Sequence, residues 1–229
     1  MTALLAAPPA NPRMRTSSRV GRLFIISSPS GGGKTTVVRA LVARMPGLVR
    51  SVSVTTRPRR PNERVGRDYQ FISPEKFQRL RDAGELLEWA RVHGASYGTR
   101  REPVEQALAR GRDCILSLDV QGARALKRLF GRRAVLVFLV PPSLERLRER
   151  LERRQTDSRT AIRARLEAAR HELACLPEYD YAVINHRLPD AIEQLKAIIT
   201  AERLRVRMAE LPEGQREERT WRSRSRSRN

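Results

Sequence analysis

The chain is short of cysteine, aromatics, acids and long apolar runs, and each shortage removes a class of protein. Its 229 residues include two cysteines, Cys114 and Cys175, too few for a disulfide framework or a thiolate metal cage. Both stand within apolar patterns, as small buried hydrophobes do, and a reducing cytoplasm fits. No stretch approaches the roughly eighteen apolar residues of a membrane span, so no membrane partner is expected. The N-terminal MTALLAAPPANP has too short an apolar run, and no basic leader, for a secretion signal. Aromatics make up 5% of the residues within a hydrophobic content of 40%, so the core must be chiefly aliphatic, in one domain with room for subdomains. The 25 acids face 46 Lys and Arg, a net charge of +21, and nearly all of that surplus is Arg. Three causes compete for it: an arginine-biased composition, a site for several phosphates, and nucleic-acid binding. The segment Glu213–Asn229 carries six Arg against three Glu and residues 1–22 add four Arg, so most of the excess belongs to the folded body. The closing WRSRSRSRN is low in complexity and is expected to lack fixed structure. Weak, non-specific contact with polyanions is the most that such a tail implies. Nothing in the chain excludes an oligomer.

What the chain does have begins at residues 22–36, RLFIISSPSGGGKTT. Leu23–Ile26 reads as a strand apolar on both faces, as in a parallel sheet. Ser28-Pro29-Ser30-Gly31-Gly32-Gly33 is a loop whose glycines allow successive N–H groups to converge on an anion. A helix from Thr36 to Met45 would add its dipole at the same point. Lys34 would then reach the outer phosphates and the Thr35 hydroxyl would hold Mg²⁺. The phosphate-loop pattern G-x-x-x-x-G-K-[ST] is met except at its first position, where Ser28 stands. The competing reading is a glycine turn with an incidental lysine; strand, loop, Lys-Thr and helix in that order favour a nucleoside triphosphate.

Further strands are expected at Ser51–Val54, Cys114–Leu118, Val135–Val140 and Tyr181–Ile184. Between them come helices at Glu102–Ala109, Gly122–Phe130, Ser143–Arg153, Arg159–Cys175 and Asp190–Met208. This alternation implies an α/β fold, a mostly parallel sheet with helices on both faces. Residues 52–100 interrupt it with short strands (Tyr69–Ile72, Leu86–Val92) and a helix at Pro74–Asp82, which suggests an inserted lobe.

Several segments carry a family resemblance: Val52-Ser53-Val54-Thr55-Thr56-Arg57-Pro58-Arg59-Arg60, Gly66-Arg67-Asp68-Tyr69-Gln70-Phe71, Leu87-Glu88-Trp89-Ala90, Tyr97-Gly98-Thr99 and Leu118-Asp119-Val120-Gln121-Gly122. The run Arg150–Arg154 and the stretch from Tyr179-Asp180-Tyr181 to Asn185 extend it. Over residues 20–208 the chain resembles guanylate kinases. The resemblance implies a phosphate-loop nucleoside monophosphate kinase core, a GMP-binding lobe at 52–100 and a mobile lid at 145–166. These would lie within a domain at 21–208, between a disordered extension (1–20) and a basic disordered tail (209–229). It implies transfer of the ATP γ-phosphoryl to GMP, and to dGMP, with Mg²⁺.

Residue by residue, it implies ATP contacts from Ser28 through Thr36 and from Asn185, and a metal contact from Thr35. Arg57, Arg60, Tyr69 and Tyr97 would hold the GMP phosphate, for which arginine offers charge-assisted, bidentate bonds. Glu88 would read guanine, since a carboxylate accepts from N1–H and N2–H₂ together and adenine lacks both donors. Ser53, Thr99 and Asp119 would complete the GMP site. Lys34, Arg150, Arg154 and Arg165 would neutralise the transferred group. Taken singly, each arginine also reads as a solvated surface charge and Glu88 as the polar member of an amphipathic strand. Five positions depart from the family pattern: Ser28 for glycine, Ser117 for the first acid of Asp-x-Asp, Gln155 for glycine, and His186 and Arg187 for acids. Two rival functions are a non-catalytic phosphopeptide-binding module and a phosphosugar kinase.

Overall fold

Every residue of Leu23–Ser27, strand β1, is buried, which its LFIIS sequence requires of a strand covered on both faces. The computed structural model describes residues 20–205 apart from 62, 93 and 154–157, and only the backbone of Arg159. Residues 1–19, the expected tail and the Arg154-Gln155 pair lie outside the described residues. Parallel to β1 run β7 (Asp113–Ser117) on one side and β8 (Ala134–Val140) on the other. β2 (Leu48–Arg50) and β9 (Tyr181–Ile184) are the edges, giving the order β2-β7-β1-β8-β9. The side chains of β1 alternate between two cores. Phe24 and Ile26 join Val37, Val38 and Leu41 of α1 (Lys34–Val42) and Ile192, Leu195 and Ile199 of α7 (Leu188–Leu204). Leu23 and Ile25 join Val104 and Leu108 of α3 (Arg101–Ala109) and Ala123 and Leu126 of α4 (Val120–Phe130). Each fully buried aliphatic side chain stabilises the fold by about 1.5–3 kcal/mol.

A second sheet, ordered β4-β3-β6-β5, is mixed. It comprises β3 (Val54–Thr55), β4 (Gln70–Phe71), β5 (Leu86–Val92) and β6 (Ala95–Arg100), with α2 (Pro74–Asp82) placing Phe77 against Val54 and Leu86. A register shift between Leu86 and Glu88 lets three consecutive residues, Leu86, Leu87 and Glu88, be buried together. Leu87 enters the α3/α4 core, so β5 is anchored to the main sheet's layer and Glu88 is carried to its edge. Helices α5 (Leu144–Glu152) and α6 (Arg159–Ala174) pack on each other through Leu147, Leu151, Ile162 and Ala169.

The strand expected at Ser51–Val54 is corrected. Leu48–Arg50 belongs to the main sheet and Val54–Thr55 to the second, and Ser51–Ser53 carries the chain between them. Three-residue β2 and the polar β6 carry too little apolar alternation to be read; pairing with β7 and β5 makes them strands. The α1 helix stops at Val42, before Met45, because Pro46 disfavours helical backbone just ahead of it and Gly47 turns at φ 76°.

Candidate active site

The loop after β1 opens where neighbouring strands diverge to β7 and β8, the crevice at which open parallel sheets take ligands. Gly33 caps α1 at φ 95°, a left-handed conformation, and a Cβ there would stand 2.7 Å from Asn185 Nδ2. At Gly32 a Cβ would overlap Ser28 Oγ at 1.8 Å, so the serine that replaces the first glycine uses the space Gly32 leaves. Ser28 is buried and its hydroxyl donates to the Pro29 carbonyl at 3.0 Å. Asn185 Nδ2 donates to Gly32 O at 2.8 Å and is buried, bracing the loop from the end of β9. Thr35 and Thr36 are exposed in the first turn of α1, and Ser30 accepts from Arg165 Nη1 at 3.5 Å.

Lys34 lies half-buried, its ammonium donating to the Ser28 carbonyl. Desolvation lowers its pKa, opposed by attraction to Glu172 and Asp119. Glu172 of α6 was not singled out from sequence. Burial raises its pKa, against the pull of Lys34. An acid on a helix of mixed charge carries no signal until folding turns it toward the lysine.

A cleft of about 280 Å³ joins these groups to the second sheet. Lys34, Ser30, Arg165, Asp119 and Glu172 line it together with Ser53, Arg60, Tyr69, Glu88 and Tyr97. Glu88 is 9% exposed, and Thr99, fully buried behind it, donates its hydroxyl to Glu88 Oε1 at 2.6 Å. Burial lifts the Glu88 carboxyl to about 7, with the Thr99 bond opposing and Asp119 adding to the rise. Asp119 caps α4, Oδ1 accepting from Gly122 N at 2.8 Å. Ser117 Oγ, at the cleft, is buried with no hydrogen-bond partner among the described residues.

Arg57 forms a two-pronged ion pair with Glu63 and lies 5.1 Å from the Tyr69 ring centroid. That pair and the Tyr97 hydroxyl raise the Arg57 pKa, and Arg57 holds the Glu63 carboxyl below its ordinary value. Glu63 is a second residue missed from sequence; its signal is the lone acid in RPRRPNER. Tyr69 packs edge-on against Phe71 and Tyr97, at 5.9 Å each. Arg150 points elsewhere. It donates to the Asn185 carbonyl at 3.4 Å and lines a separate cavity with Arg146, Arg153 and His186. Among the described residues no group of three or more His, Cys, Asp or Glu can hold a metal, and no helix is long and apolar enough to cross a membrane.

The guanylate kinase family model matches residues 20–202. Guanylate kinase of Rhizobium etli is 48% identical over 82% of this chain and 86% of its own length. That of Thermotoga maritima is 45% identical over 81% and 89%. The crystal structure of guanylate kinase from Anaplasma phagocytophilum superposes with a TM-score of 0.71 at 33% identity, covering 82% of this chain and 89% of that one.

Proposed function

The chain belongs to the guanylate kinase family, and from that premise we propose that its cleft transfers the γ-phosphoryl of ATP to GMP, and to dGMP, giving ADP and GDP. The observation that carries the reading is the single cleft lined both by Lys34 and by a buried carboxylate, Glu88, held by Thr99. Ser28–Thr36 bind the ATP phosphates, and Lys34 neutralises charge on the transferred group. Arg60, Arg57, Tyr69 and Tyr97 hold the GMP phosphate. Glu63 holds the Arg57 guanidinium through both terminal nitrogens. Glu88 accepts from guanine N1–H and N2–H₂, with Ser53, Thr99 and Asp119 around it. Arg165, already at Ser30, joins Arg150 and Arg154 as the lid shuts water out. The acceptor phosphate is mostly ionised at neutral pH, with a second pKa of about 6, so no general base is needed.

Mg²⁺ fits the exposed Thr35 hydroxyl and the sparse acids of the cleft. An ion that arrives with nucleotide phosphates and keeps its waters needs few protein ligands. When bound, it neutralises phosphate charge. A phosphopeptide-binding module has no use for a half-buried Lys34 drawn to Glu172 and Asp119. A phosphosugar kinase would leave Glu88 buried with no donors to receive. The test is ADP release with GMP, dGMP, AMP or UMP as acceptor. Turnover with GMP and dGMP alone is expected. Turnover without acceptor, or with AMP equally, overturns the reading.

A further inference from the structure

Glycine at position 122 has no backbone reason. Gly122 is the third residue of α4, in ordinary helical conformation, where alanine is the better helix former and glycine is a loss. Nor does it end the helix, which continues to Phe130. What the position does have is crowding. A Cβ on Gly122 would stand 2.9 Å from Glu88 Oε2 and 3.4 Å from Asp119 Oδ1. Its backbone N–H already holds Asp119 Oδ1 at 2.8 Å. The Glu88 carboxylate is thus confined between the Thr99 hydroxyl on Oε1 and the bare Cα of Gly122 beside Oε2.

We propose that Gly122 is a specificity-determining positioning residue, whose missing side chain sets the place of the Glu88 carboxylate in the acceptor site. This rests on the reading of Glu88 as the guanine acceptor. An added methyl crowds the far end of the Glu88 side chain and meets Asp119 Oδ1 at ordinary contact distance, so the fold accommodates it by a shift of that one carboxylate. Recognition does not: swinging Oε2 away from α4 turns Oε1 off Thr99 and misaligns both oxygens from a pair of donors at fixed spacing. The loop that holds the donor nucleotide lies between β1 and α1, away from α4, and is untouched.

The experiment compares the full-length protein with Gly122→Ala, Glu88→Gln and the double variant. KM for GMP, KM for ATP and Tm are the readouts. For Gly122→Ala we expect KM for GMP to rise about tenfold or more, with KM for ATP within about twofold and Tm unchanged or slightly raised. In the Glu88→Gln background the same substitution should add less than about twofold, because the two act through one carboxylate. An unchanged KM for GMP, equal losses for both substrates, loss of folding, or a full effect persisting in the Glu88→Gln background overturns the inference while leaving Glu88 as the guanine acceptor. If Glu88→Gln alone leaves KM for GMP unchanged, the reading of Glu88 falls, and the inference with it.

Discussion

At the scale of single residues, Glu88 sets two opposed pH dependences. A carboxyl held near 7 is protonated in the folded state over a range where the unfolded chain, with an ordinary value of 4.5, has released its proton. Folding then takes up a proton between those values, so stability is fullest below 4.5 and falls as pH rises through 7. Acceptance of guanine donors requires the ionised form and improves over the same range. Denaturant unfolding at pH 5 and pH 8 should show wild type losing up to about 3 kcal/mol relative to Glu88→Gln. KM for GMP in wild type should fall across that interval. A Glu88→Gln variant with the same pH slope of stability would refute the assignment. The resemblance singled out Glu88 and Thr99 in separate motifs, and the fold brings them into one buried hydrogen bond. The register shift that buries Glu88 was not legible, since a bulge depends on the partner strand β6. Glu63 and Glu172 were likewise illegible, since each gains meaning from a cation brought to it by folding.

At the scale of elements, the phosphate loop stands between β1, α1 and the end of β9. The strand and the loop were readable from residues 22–36, and β9 has the expected bounds. The brace was not readable. Asn185 was expected to contact ATP, and its side-chain amide is bonded to the Gly32 carbonyl across a sequence separation of 153. Asn185→Ala removes that bond and opens the space against which Gly33 is fitted. We expect KM for ATP to rise about fivefold, by loss of one buried hydrogen bond worth about 1 kcal/mol, with KM for GMP changed less than about twofold. Steady-state kinetics with each substrate varied in turn checks this. An effect confined to GMP would sink it.

At the scale of the molecule, α7 is latched to the sheet by buried charge. Arg22, just before β1, pairs with Glu202; Tyr181 of β9 donates to Glu202 at 2.8 Å; and Arg203 pairs with Asp113 of β7 at 2.7 Å. Arg22 and Glu202 are 4% and 3% exposed, so removing Glu202 takes the carboxylate partner from a cation held out of water, which keeps its bond to the Arg205 carbonyl at 3.4 Å. Glu202→Ala should cost about 3–5 kcal/mol and lower Tm by about 10 °C, while KM values for both nucleotides stay within about twofold. Thermal unfolding followed by circular dichroism is the measurement, and a shift below about 2 °C would show that the latch is not a source of stability.

The sequence by itself determined the α/β class, because apolar runs and helical periodicity alternate along the chain. It also determined the phosphate loop, because glycine placement and Lys34-Thr35 act locally, within one turn of backbone. Only the tertiary structure decided which distant groups share a cleft. It set Glu88 against Gly122, Lys34 beside Glu172, Arg57 on Glu63 and Asn185 beneath the loop. Local propensity reports the conformation of a segment. The partners of a buried charge or amide depend on how layers pack, and that is written in no single stretch of the chain.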